Sequence, residues 1–190
     1  MALGDLPYFD GIAPVYDRLV PSASAGTLAA ALDRADRPIE RVVDVGGGTG
    51  RVARAVDAPR RIVLDASAAM LARVPGGIER VRGDARAPPV PDASVDAALI
   101  VDAYHHLPGR RRVLEAVADI LRPGGVLVIG EFDPATLRGR ILEAGEHLLG
   151  MESQFYTPEE VTAALSAAGF DPAVVDRGFD YTVAGTKPGA

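Results

Sequence analysis

Asp44 stands in an apolar run, Val42-Val43-Asp44-Val45, that empties into Gly46-Gly47-Gly48-Thr49-Gly50. Glycine has no Cβ, so such a bend brings bare backbone amides against a ligand. Asp65 closes the next apolar run, Arg61-Ile62-Val63-Leu64. A carboxylate about 20 residues past such a loop can accept hydrogen bonds from the two hydroxyls of a ribose. Together these residues point to a cofactor that carries adenosine. The spacing G-x-G-x-G narrows the choice. Arg51 occupies the place of the last glycine in a dinucleotide fingerprint, which disfavours an NAD-linked oxidoreductase. The loop also lacks the Lys-Ser/Thr ending of a nucleoside triphosphate site.

Residues of this kind need strand ends to hold them, and the pattern supplies them. Strands are expected at 41–45, 61–65, 79–82, 95–101 and 126–129, with late strands near Val174-Val175 and over 180–185. Helices are expected at 22–37, 49–57, 66–74, 109–121 and 138–149, with Pro123-Gly124-Gly125 stopping the fourth. Thr157-Pro158-Glu159-Glu160 opens a further helix with a capping box. Such alternation demands a mostly parallel sheet wrapped on both faces by helices, with ligands at the carboxyl ends of the strands. Tyr8, Ile12, Tyr16 and Leu19 fall at helical spacing, so residues 1–37 form a helical lid region and 38–190 the sheet core of one domain.

The chain has 190 residues, a net charge of -6 and no cysteine. The charge argues against a nucleic-acid partner. The missing thiols exclude disulfides, a cysteine nucleophile and cysteine-liganded metals. No apolar stretch reaches the roughly 18–20 residues of a membrane span, and the N-terminus is not a secretory signal, so a cytoplasmic protein is expected. The oligomeric state is not legible.

With these residues placed, the chain resembles the class I S-adenosylmethionine-dependent methyltransferases. The likeness runs through Val-Asp-Val-Gly-Gly-Gly-Thr-Gly, Leu64-Asp65-Ala66-Ser67 with Met70-Leu71, Gly83-Asp84-Ala85, Asp92 to Asp96, and Leu121-Arg122-Pro123-Gly124-Gly125. The opening, Phe9 to Asp17, is similar to the start of quinone-biosynthesis C-methyltransferases. The resemblance implies a Rossmann-like sheet of seven strands, the last antiparallel, and S-adenosylmethionine as cofactor. It implies that Gly46, Gly47, Gly48 and Gly50 pass the methionine part and that Asp44 lies beside its amino group. Asp65, with Ala66 beside it, holds the ribose. Asp84 and the Ala85 amide meet the adenine, Met70 packs on its face, and Asp102 borders the donor.

The acceptor is expected to be a small molecule, bounded by Phe9, Tyr16, Glu131, Phe132 and Tyr156. The segment after the fourth strand, Asp102-Ala103-Tyr104-His105-His106, is where related enzymes place a base, and His105 is favoured over His106. A structural role, one histidine tying the loop to carbonyls, competes with this. Asp102, His105 and His106 also have the types of a partial metal site, but no metal is expected. The alternative to an enzyme is a non-catalytic binder of S-adenosylmethionine or its product, a sensor or partner subunit, in which the acceptor cavity would be closed.

Overall fold

The computed structural model describes residues 6–12, 24–151 and 153–189. Tyr16 and the rest of the expected lid between 13 and 23 lie outside the described residues. What is described of that region is α1 (Leu6–Ile12), which packs on α4 (Ala68–Leu71). No helix among the described residues is long and apolar enough to cross a membrane.

Seven strands form one sheet in the order β3-β2-β1-β4-β5-β7-β6. They are β1 (Arg41–Val45), β2 (Arg60–Asp65), β3 (Glu79–Arg82), β4 (Val95–Val101), β5 (Leu121–Phe132), β6 (Asp171–Asp176) and β7 (Asp180–Thr186). β1 to β5 pair in parallel, and β7 runs antiparallel to both β5 and β6, as expected. The chain works outward from β1 to β3, then returns to lay β4 on the other side of β1. That reversal opens a crevice above the ends of β1 and β4.

Side chains alternate between the two faces, and this decides where each carboxylate points. Val43, Val45, Ala98, Ile100, Leu127 and Ile129 pack in one core with Leu114 and Val117 of α5 (Arg110–Ile120) and Leu165 of α7 (Pro158–Ala167). Val42, Ala97, Leu99, Val126 and Val128 pack in a second with Leu28 of α2 (Ala25–Leu32) and Val52 of α3 (Arg51–Ala55). Asp44 follows the second face and Glu131 the first.

Several boundaries differ from the expectation. β5 is three times the expected length because Pro123-Gly124-Gly125 continue it rather than closing a helix. The Gly124 N–H donates to Lys187 O at 2.8 Å, and the Lys187 N–H donates to Gly125 O at 2.7 Å, so the ladder has partners there. At its far end Glu131 and Phe132 pair with Tyr181 and Asp180, which puts both in the sheet. α2 stops at Leu32, well before Pro38. Beyond it, Asp36 N–H donates to Gly124 O and Thr186 Oγ1 donates to Arg34 O, pinning the segment to the sheet. α3 and α4 are only five and four residues long. The expected caps are present: Ser67 Oγ accepts from Met70 N, and Thr157 and Glu160 form the capping box.

Candidate functional site

The crevice at the strand ends divides in two. The larger part, about 220 Å³, is lined by Gly46, Asp65, Ala66, Asp84, Ala85 and Leu107, among others. The smaller, about 20 Å³, is enclosed by Phe9, Gly48, Met70, Asp102, His106 and their neighbours, with Gly46 and Asp65 bordering both. The sequence-predicted donor residues therefore converge.

Asp65 is buried and both builds and faces this crevice. Ser67 N–H donates to its Oδ1 at 2.7 Å and Gly48 N–H to its Oδ2 at 2.9 Å. Gly48 has φ +55°, a left-handed conformation that suits glycine and turns its amide onto the carboxylate. Burial pushes the carboxyl pKa up, and the two amides oppose that. Each carboxylate oxygen has two lone pairs, so each can accept again.

Asp44 lies directly beneath the bend. A Cβ on Gly47 would sit 2.5 Å from Asp44 Cγ, so no other residue fits there without displacing the loop. Ala53 N–H donates to Oδ2 at 3.1 Å, while Oδ1 has no hydrogen-bond partner among the described residues. A buried polar atom left this way costs about 1–3 kcal/mol. Burial raises the carboxyl pKa to about 7, against the pull of the Ala53 amide and the Arg51 charge.

Asp84 and Met70 line the two different parts of the crevice. Asp84 is half-exposed and already grips Arg86, whose backbone N–H donates to Oδ1 at 2.8 Å and whose guanidinium donates to both oxygens. That contact holds its pKa below the usual carboxylate range, so an adenine amino group would compete with Arg86. Met70 is packed against Phe9 at the small end of the crevice, not beside Asp84.

Asp102, with φ +52°, closes β4 and binds Arg51 at 2.6 Å. This pairing removes Asp102 from the partial metal set with His105 and His106. It also places Asp102 between the donor crevice and a further cavity of about 290 Å³, whose walls include Leu28, Glu131, Phe132, Phe179 and Tyr181. Phe132 and Phe179 pack with ring centroids 5.1 Å apart. Glu131 and Phe132 thus line this cavity. Tyr156 lines neither of these spaces: it stacks under Arg110 at 4.7 Å, edges onto Tyr104 and borders a separate pocket, with its carbonyl accepting from Tyr181.

His105 and His106, the two expected bases, have different surroundings. His105 lines neither the donor crevice nor the cavity beside it, and its Nδ1 donates to Glu131 Oε2 at 2.7 Å inside the protein. Burial lowers its pKa, but Glu131, Glu146 and Asp102 outweigh that and hold it above the ordinary histidine value. Its ring is engaged with Glu131 and opens on neither space. His106 lines the small crevice, and burial with the neighbouring His105 charge depresses its pKa to about 2. It stays neutral but is a weak base.

The sequence reading passed over several groups. Arg51 entered only as a missing glycine. Phe179 and Tyr181 flank the start of β7, where alternation could have marked them as facing a site. Glu146 and Phe155 carry no local signal, because only the fold brings them to His105.

Residues 43–129 match the methyltransferase-domain family. The chain is similar to the 27-O-demethylrifamycin SV methyltransferase of Amycolatopsis mediterranei, 30% identical over 75% of this chain and 58% of that protein. It is also similar to a ubiquinone/menaquinone biosynthesis C-methyltransferase of Methylobacterium nodulans, 36% identical over 72% of this chain and 63% of the other. Over that segment the chain resembles the class I S-adenosylmethionine-dependent methyltransferases.

It spans less than two thirds of the length of those two relatives. Its fold is that of a SAM-dependent methyltransferase from Thermotoga maritima, with a TM-score of 0.78 at 24% identity, covering 96% of this chain and 99% of that one. The DhpI–SAH complex matches at 25% identity with a TM-score of 0.71, over 98% and 96% of the two chains. The methyltransferase cofactor is S-adenosylmethionine, and the residues present fit it. The unsatisfied Asp44 oxygen suits its amino group, the Gly47 cradle its methionine tail, and the free lone pairs of Asp65 its ribose.

Proposed function

We propose that this chain transfers a methyl group from S-adenosylmethionine to a small molecule held in the cavity beside Asp102. When bound, the cofactor would supply an activated methyl on a sulfonium, which an acceptor lone pair would bond in line as the carbon–sulfur bond breaks and S-adenosylhomocysteine leaves. The protein's part is alignment, which alone can supply about 7–11 kcal/mol of a barrier. Asp65 and the glycine bend fix the donor end, and Asp102 marks the junction with the acceptor.

The observation that carries this reading is the cavity that shares Asp102 with the donor crevice. A non-catalytic binder of the cofactor has no need of such a space. Its walls include Asp102, Glu131, Asp176 and Asp180 and, among the described residues, no lysine or arginine, so it favours a neutral or positively charged acceptor. Phe132, Phe179 and Tyr181 suit a flat apolar body. Both named relatives act on small molecules, and the net charge of -6 disfavours nucleic acid.

The test is a turnover assay that detects S-adenosylhomocysteine by mass spectrometry. Aromatic amines, phenols and quinols are set against carboxylates, phosphates and oligonucleotides. Turnover with the first group is expected. Turnover confined to anionic acceptors contradicts the reading.

A further inference from the structure

His105, His106 and Glu146 each bring a ring nitrogen or carboxylate oxygen to one buried point, all within 4.8 Å of one another. They come from two places in the fold, the turn after β4 and the last turns of α6 (Leu137–Leu148). His105 Nε2 lies 3.8 Å from Glu146 Oε2. The opposite nitrogen of His105 is held by Glu131, and His106 Nδ1 lies 3.3 Å from Ser153 Oγ. Metal-binding histidines are ordinarily oriented this way, with the second nitrogen anchored to a carboxylate or other polar group that fixes ring and tautomer. Phe155 stacks on His105 at 4.3 Å and Phe9 edges onto His106 at 5.0 Å, which gives the point an apolar collar.

We propose that His105, His106 and Glu146 form a site for one divalent transition-metal ion, with Glu131 orienting His105. Two imidazoles and a carboxylate suit zinc, ferrous iron or cobalt, whereas magnesium and calcium prefer oxygen ligands alone. The charges also match, since a divalent ion balances Glu131 and Glu146 when both imidazoles are neutral. Three protein ligands leave a coordination position open for water or another small donor. His106 also borders the donor crevice, so the ion would sit one side chain from it. The site is independent of the choice of acceptor.

Metal-stripped protein is titrated with cobalt(II) and followed by visible absorption, with zinc and magnesium as competitors. One equivalent of cobalt is expected to produce visible bands that zinc abolishes and magnesium does not. Glu131→Gln weakens binding by about 10–100-fold. Glu146→Gln, which removes a ligand, weakens it at least tenfold while S-adenosylhomocysteine binding and the circular dichroism spectrum report an intact fold. Glu143→Gln, one turn earlier on α6, leaves binding unchanged. No stoichiometric binding in the unsubstituted protein overturns the proposal, as does an affinity that Glu146→Gln does not move.

Discussion

The donor and acceptor sides of this molecule hold their carboxylates by different means. At the donor side, Asp65 and Asp44 are gripped by backbone amides of Gly48, Ser67 and Ala53. At the acceptor side, Asp102 is bound by the Arg51 side chain, and Glu131 by the ring of His105 as well as by its backbone amide. Backbone grips belong to the fold itself and come from residues close in sequence. Side-chain grips can be exchanged one residue at a time, so the same sheet can present a constant donor site beside a changeable acceptor site.

The largest effect should come from breaking a side-chain grip. Glu131→Ala leaves His105 buried without its partner and is expected to cost about 3–5 kcal/mol of stability in urea unfolding, while donor affinity changes little. Asp65→Ala removes the acceptor for two amides. It should cost about 2–4 kcal/mol of stability and weaken S-adenosylhomocysteine binding by roughly tenfold to a hundredfold in calorimetry. If Glu131→Ala impaired donor binding as much as Asp65→Ala, the two sides would not be separable.

Asp44 sharpens the comparison through pH. Its folded pKa, about 7, lies above the ordinary 3.8, so the folded state holds the proton more tightly than the unfolded chain. Its contribution to stability is therefore greatest at low pH and declines as pH rises from 3.8 to about 7. Asp44→Asn should flatten that part of the stability profile. In the unsubstituted protein at pH 6, donor binding should release a proton from Asp44, seen as a heat that depends on buffer ionisation. The variant should show no such release. The smallest effect is expected at Phe9, which fills the narrow end of the crevice. Phe9→Ala should speed donor association in stopped-flow measurements, because less side chain must be moved aside.

The same contrast explains what was legible in the sequence. Asp65, the glycines and Ser67 lie within and just beyond one strand-turn-helix-strand unit, and their spacing alone announces the crevice. The sheet followed from apolar runs alternating with helical patterns, and the capped start of α7 from Thr157 and Glu160. Helix ends were misplaced where long-range bonds decide them, as at Asp36 and Gly124. At the acceptor side, Glu131 meets His105 across 26 residues and Arg51 meets Asp102 across 51. No local pattern records such pairings. The contact of Tyr156 with Arg110 is likewise fixed by packing and not by spacing.

A crystal structure of this chain with S-adenosylhomocysteine tests the central claim most directly. The account predicts ribose hydroxyls within hydrogen-bond distance of Asp65, the amino group against Asp44, and Phe9 displaced from the narrow end of the crevice. Product bound elsewhere, or bound with Asp65 turned away from the sugar, would contradict it.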